Sequence, residues 1–234
     1  MKASPLIEEL VVANRILYDR GVVDGFGHVS MRHPDNPNRY WISRSLAPAL
    51  VTAGDIVELN LDSTHAVPGA PNSYLERFIH GEIYRARPDV VSVVHSHSAG
   101  VIPFGVVPGA TLKAISHMGG FIGEGAPVFE IRDTVAASDM LVKTPELGAA
   151  LAKSLGKHGM VLMRGHGATM VGMSIRQAVY RAIYAELNAR LQSEALKLGA
   201  PNYLTREEAA GAALANDNNM DRAWDLWVRA VKNR

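Results

Sequence analysis

Not one of the 234 residues is a cysteine. That excludes a disulfide framework, a thiolate metal site and a cysteine nucleophile. Nor does any apolar run reach the ~18 residues that a membrane-spanning helix needs, so no membrane partner is expected. Charge is scarce in the net sense: the balance is +1. No basic stripe interleaved with aromatics stands out, which argues against nucleic acid as a partner. The N-terminal stretch Met1-Lys2-Ala3-Ser4-Pro5 runs into a segment bearing Glu8, Glu9 and Arg15. Those charges interrupt the apolar core that a signal peptide requires. A cytoplasmic location is the expectation consistent with these absences.

What is present describes an ordinary globular chain. Hydrophobic residues make up 47% and charged residues 20%, enough apolar surface to bury a core and too little charge for disorder. The length suits one large domain, residues 1–234, better than two small ones. Ser4 and Pro5 fit the cap and first position of a helix carrying Leu6, Ile7, Leu10, Val11, Asn14, Leu17 and Tyr18 at helical spacing, ended by Gly21. Strands are expected over 28–32, 39–43 and 56–61, with a turn at Asp35-Asn36-Pro37-Asn38. A helix over 73–85 follows a Pro/Gly-rich loop and stops before Pro88. The run from Val90 to His95 reads as a buried strand. Beyond a glycine-rich stretch of mixed character (100–127) come a helix over 145–155, a strand over 160–163, a long helix over 174–198 and one or two terminal helices. Helices and strands alternate without linker or repeat, which predicts an α/β fold with helices on both faces of a sheet. The strand run from His28 to Leu61 favours a mixed sheet over a wholly parallel one.

Chemistry concentrates around three histidines. His95-Ser96-His97 closes the Val90–Val94 run, and side chains at i and i+2 of a strand share a face. Two neutral imidazoles so placed can converge on one divalent cation, although two solvated or core histidines would show the same spacing. Gly165-His166-Gly167 follows another strand, and its glycines allow the sharp turn that would present His166 at a strand end. Three protein ligands with an open fourth position is the pattern of a catalytic metal site. Glu76 lies in Ser73-Tyr74-Leu75-Glu76, which also fits a helix capping box.

Together, Glu76, His80 four residues later, His95-Ser96-His97 and His166-Gly167, with Arg87-Pro88-Asp89 before the His-x-His strand, resemble the class II aldolase/adducin family. The resemblance runs from the first helix to the long helix after His166. It implies a three-layer α-β-α sandwich with a central mixed sheet, and one divalent ion per subunit, Mn2+ or Zn2+, on His95, His97 and His166. It also implies catalysis by Glu76 and a homotetramer of C4 symmetry with active sites at subunit interfaces. The family includes aldolases, an epimerase, a dehydratase, decarboxylases and the non-enzymatic adducin head; the intact histidine set argues against the last.

The departures bear on substrate. Where the sugar-phosphate aldolases bind phosphate through Gly-Asn, Thr-Gly and Ser-Ser, this chain has Gly27-His28-Val29-Ser30, Ser43-Arg44-Ser45 and Asn72-Ser73. A phosphate cradle wants small residues and free backbone N–H groups. His28 and Arg44 add bulk and donors, and a guanidinium suits a carboxylate; a surface salt bridge for Arg44 and a structural role for His28 remain open. His28, Arg44, Ser45 and Ser73 are thus the candidate substrate-binding residues. The segment Leu112–Gly120 lacks the tyrosine that the aldolases use as proton donor from a neighbouring subunit; either His117 or Lys113 replaces it or the chemistry does not need it. That segment is similar to the family's decarboxylases of hydroxylated aromatic or pyridine dicarboxylic acids, such as 3-hydroxy-2-methylpyridine-4,5-dicarboxylate. The expected activity is therefore metal-dependent decarboxylation of an ortho-hydroxy aromatic acid, a small-molecule carboxylate. A retro-aldol lyase acting on a hydroxy-keto acid or sugar derivative and a non-catalytic adducin-like module are the competing readings.

Overall fold

The computed structural model describes residues 4–232; Met1–Ala3, at the head of the segment read for a leader, lie outside the described residues. The chain begins with helix α1 (Pro5–Asp19), closed by Gly21 at φ +67°. Strands β1 (His28–Arg32), β2 (Arg39–Ser43) and β3 (Ile56–Asn60) form an antiparallel meander. Helix α2 (Arg77–Ala86) leads to β4 (Ser92–Ser96), which returns to pair antiparallel with β1. A short helix α3 (Ile102–Val106) and strand β5 (Val128–Phe129) precede α4 (Pro145–Leu155), whose first turn is capped by the Thr144 hydroxyl. Strands β6 (Met160–Met163) and β7 (Gly167–Gly172), the long helix α5 (Ile175–Leu198), α6 (Arg206–Asp217) and α7 (Met220–Lys232) complete the described chain.

The seven strands form one sheet in the order β3-β2-β1-β4-β7-β6-β5. It is mixed, as expected, but only the β5–β6 pair is parallel. Strand alternation sorts side chains to two cores. Val29 and Met31 of β1, Val94 of β4, Leu162 of β6 and Met170 of β7 pack with α1, α5 and α7. Val93, Val161 and Val171, one residue away in each strand, face α2 and α4 with Tyr40 and Ile42 of β2. Helices therefore cover both faces, which makes the α-β-α sandwich. Burying each large side chain in these layers contributes about 1.5–3 kcal/mol. Arg32 ties α2 to the sheet by donating to the carbonyls of Tyr84, Arg87 and Val90 at 2.7, 3.0 and 2.9 Å.

Two local expectations need correction. The helix read from Ser73 starts four residues later, at Arg77, and no capping box forms there. Ser73 is instead bridged to Arg44, with its hydroxyl donating to the Ser43 carbonyl at 3.0 Å. The segment after Gly165 is not a simple break: Gly167 opens β7, which pairs with both β4 and β6.

Candidate metal centre and cleft

The sheet register builds the site. His28 of β1 stands opposite His95 of β4, and His95 opposite Thr169 of β7. His28 and His95 thus point to the α2 side. His97 follows the end of β4, and His166 sits in the β6–β7 turn, where Gly165 takes φ +66°. Gly167 has no room for a side chain: a Cβ there would lie 2.0 Å from the Ser96 carbonyl oxygen. That close approach brings the His97 and His166 backbones together. Glu76 occupies the N-cap position of α2 with its side chain free of any capping bond, four residues before His80 and eight before Tyr84.

One donor atom each from Glu76, His95, His97 and His166 falls within 4.8 Å of all the others. His97 Nε2 lies 3.1 Å from His95 Nε2 and 2.9 Å from His166 Nε2. Glu76 Oε2 is 3.4 Å from Nε2 of both His95 and His166. A tetrahedral ion with bonds of 2.0–2.1 Å has donor–donor edges of about 3.3 Å, so this donor set fits a divalent cation. His166 Nδ1 donates to the Met140 carbonyl at 2.8 Å, which leaves the lone pair on Nε2 facing the cluster, the usual way a ligand imidazole is oriented. The other carboxylate oxygen of Glu76 accepts from the Val142 N–H at 2.9 Å. Two backbone groups of the 140–142 segment therefore hold two of the four donors, and Met140 takes φ +72° to do so.

Electrostatics follow the crowding. Burial, then the neighbouring His95 and His166, lowers His97 to about 4. Burial and His95 lower His80 to about 3. Burial, His80 and His95 take His28 well below its ordinary value. Neutral imidazoles are the form that binds metal. Burial would raise the Glu76 carboxyl, but His95 and His166 outweigh it and hold it far below the usual carboxylate range. A cation in their midst would act in the same direction. For His166 the balance is reversed: burial lowers it, and the Glu76 carboxylate and Met140 carbonyl together raise it.

The cluster opens into a cleft of about 410 Å³ lined by His28, Ser45, Glu76 and His97 with apolar walls from Phe26, Leu46, Tyr74, Leu75 and Leu141. Among the described residues, no lysine or arginine lines it. Arg44, expected to bind substrate, is not among the residues lining this cleft within one chain. Arg44 Nε donates to Asp55 Oδ1 at 2.6 Å, and Asp55 is itself fixed by Thr52 in a small capping box. Ser73 is likewise engaged elsewhere, on the Ser43 carbonyl. His117 begins a short 3₁₀ helix (His117–Ile122) and faces a different cleft with Met118, Tyr180, Tyr184 and Met220. It does not join the cluster of its own chain. Residues that the sequence did not single out include Tyr74 and Phe26 of the walls and the Met140–Val142 backbone. Tyr84, on the Glu76–His80 spacing, carried a signal that went unused.

A family model described as class II aldolase and adducin N-terminal domain matches residues 8–193. Decarboxylase tropJ of Talaromyces stipitatus is 36% identical over 256 residues, covering 99% of this chain and 96% of its own length. A 3,4-dihydroxyphthalate decarboxylase of Arthrobacter keyseri is 32% identical over 205 residues, covering 82% and 79%. Among solved structures, L-fuculose 1-phosphate aldolase from Glaciozyma antarctica PI12 superposes with a TM-score of 0.78 at 23% identity, covering 97% of this chain and 88% of that one, a likeness of fold.

Proposed function

Because the chain belongs to the class II aldolase and adducin family, we propose that it is a metal-dependent carboxy-lyase acting on an ortho-hydroxy aromatic or pyridine dicarboxylic acid of the 3-hydroxy-2-methylpyridine-4,5-dicarboxylate type. The observation that carries this reading is the Glu76–His95–His97–His166 cluster at the mouth of a cleft with apolar walls. Apolar walls that include the Phe26 and Tyr74 rings suit an arene, and relatives named as decarboxylases of hydroxylated arenes support that class.

Loss of CO2 directly from a ring carbon leaves charge in the ring plane. Protonating that carbon first gives a keto-like tautomer; the bond to CO2 then breaks and its electron pair restores the aromatic ring. A bound divalent cation, Mn2+ or Zn2+ on the three histidines, would supply Lewis-acid stabilisation of the phenolic oxygen and an adjacent carboxylate oxygen. Glu76, resting as a carboxylate, takes the hydroxyl proton and returns it to the ring carbon. Its Oε1 is occupied by the Val142 N–H, so Oε2, the fourth donor of the cluster, is the atom that would leave a cation to move the proton. Tyr74, Phe26 and Leu141 hold the ring and limit water, and His28 and Ser45 meet a polar substituent.

In a homotetramer, His117 of a neighbouring copy can serve this cleft; a monomer in sedimentation at micromolar concentration would remove that part of the reading. The test of the function is metal analysis followed by CO2 release from a panel of hydroxy-arene carboxylates, with non-hydroxylated arenes as controls. Metal-dependent CO2 release confined to ortho-hydroxy acids is expected. A carbonyl product without CO2, from a hydroxy-keto acid, would overturn it in favour of retro-aldol cleavage.

A further inference from the structure

Beneath the cleft, four buried polar side chains form one line. His28 and Ser30 alternate on the same face of β1, and His80 and Tyr84 stand one turn apart on α2. Tyr84 OH is 2.7 Å from Ser30 Oγ, Ser30 Oγ is 2.6 Å from His80 Nδ1, and His80 Nε2 is 2.7 Å from His28 Nδ1. None of the four is more than 4% exposed. The geometry points to a one-way hydrogen-bond chain, Tyr84 to Ser30 to His80 to His28, that makes the His28 Nε2–H a standing donor into the cleft and so selects ligands presenting an anionic oxygen, carboxylate or phenolate, beside the metal centre.

The direction follows from counting protons. Tyr84 OH has two acceptors near it, Ser30 Oγ at 2.7 Å and the Val91 carbonyl at 3.4 Å. The second is outside the usual 2.5–3.0 Å range of an O–H···O bond, so the phenol proton goes to Ser30. A serine hydroxyl has one proton, and Ser30 gives it to His80 Nδ1. A neutral imidazole that accepts at one nitrogen donates from the other. His80 therefore donates from Nε2 to His28 Nδ1, and His28 carries its proton on Nε2. Among the described residues that atom has no hydrogen-bond partner, and it is not among their buried unpaired atoms, while His28 lines the cleft. The opposite order would leave the buried Tyr84 proton only the Val91 carbonyl at 3.4 Å, a long and weaker bond. Tyr84, Ser30 and His80 are thus positioning residues, and His28 is the group that meets ligand.

This inference rests on the cleft being a site for aromatic carboxylates. Its test is read without turnover. Long-range ¹H–¹⁵N correlation spectra of the ¹⁵N-histidine-labelled, zinc-loaded full chain are expected to show His28 and His80 both protonated at Nε2. His28 protonated at Nδ1 would overturn the chain. Tyr84→Phe removes the donor that sets the direction; part of His28 is expected to shift to the Nδ1–H form, and calorimetric affinity for benzoate, which lacks the ortho hydroxyl, to fall about tenfold. Unchanged tautomers and unchanged benzoate affinity in Tyr84→Phe would also overturn it. Should that variant not fold, Ser30→Ala cuts the same line, and the parent spectrum decides regardless. Absence of CO2 release with the tautomers as stated would sink the decarboxylase reading alone; the converse would sink the chain alone.

Discussion

Replacing Glu76 by Gln keeps the side-chain shape and alters one proton site, so it separates a structural role from a chemical one. Glu76 Oε1 accepts from the Val142 N–H at 2.9 Å, and an amide oxygen can accept the same bond. Stability should therefore change by less than about 1 kcal/mol. The other oxygen faces Nε2 of His95 and His166 at 3.4 Å, and an amide nitrogen in its place can neither accept nor carry the substrate proton. General acid–base contributions are about 10²–10⁴-fold, which corresponds to about 2.7–5.5 kcal/mol in the barrier. The assay is the initial rate of CO2 release under saturating metal, with thermal unfolding and metal content measured on the same preparation. Saturation matters because Glu76 is also one of the four donors. If added metal restores the rate, Glu76 is a ligand and not the proton carrier. Turnover within about threefold of the parent, with metal bound, would refute its catalytic role outright.

Three further outcomes follow from the same geometry. His95→Ala, His97→Ala and His166→Ala are each expected to lose the metal while retaining the fold; full occupancy by elemental analysis in any purified variant would remove that residue from the ligand set. Stability should fall on acidification below pH 6.5, because burial, then His95, holds folded His80 at about 3 against an ordinary 6.5. The unfolded chain takes the proton first, so stability rises with pH across that window and is lost as pH falls through it, by about 2 kcal/mol between pH 6.5 and 5 for this one group. Denaturant midpoints of His80→Gln should show a shallower slope, and an unchanged slope would contradict the assignment. Gly167→Ala places a Cβ 2.0 Å from the Ser96 oxygen and should cost about 1–3 kcal/mol or more as β4 and β7 separate, with weaker metal binding. Gly211→Ala, in open space on α6, should be neutral or slightly stabilising; equal behaviour of the two variants in thermal unfolding and metal titration would refute the close-approach argument.

How much of this was legible in the sequence depends on whether the signal was local. Periodicity placed α1, α4, α5 and the strands at 28–32, 39–43 and 160–163 with small boundary errors, because each has its own caps or alternating faces. Strand β7 was missed: Gly167-Ala168-Thr169-Met170-Val171-Gly172 is bounded by glycines, and its strand character comes from neighbours β4 and β6 on either side. The start of α2 was misplaced because Ser73-x-x-Glu76 mimics a capping box. What decides the matter is Arg44, far away in sequence, whose strand bridge claims Ser73.

The site divides in the same way. His95, His97 and His166 could be found because strand parity and flanking glycines are local facts that bear on where side chains point. The Arg44–Asp55 pair could not be read from sequence, since Asp55 is presented by a turn whose capping box has to fold first. The 140–142 segment gave no signal at all: it acts through the Met140 carbonyl and the Val142 N–H, groups every residue possesses. Yet those two bonds orient His166 and Glu76 together, so the proposed metal donor and the proposed proton carrier share one support. Any motion of this segment therefore displaces both side chains at once, whereas the His28 line makes its bonds between β1 and α2. The centre is thus held from two sides: backbone groups of a loop set the donors, and a buried side-chain line sets the ligand-facing histidine.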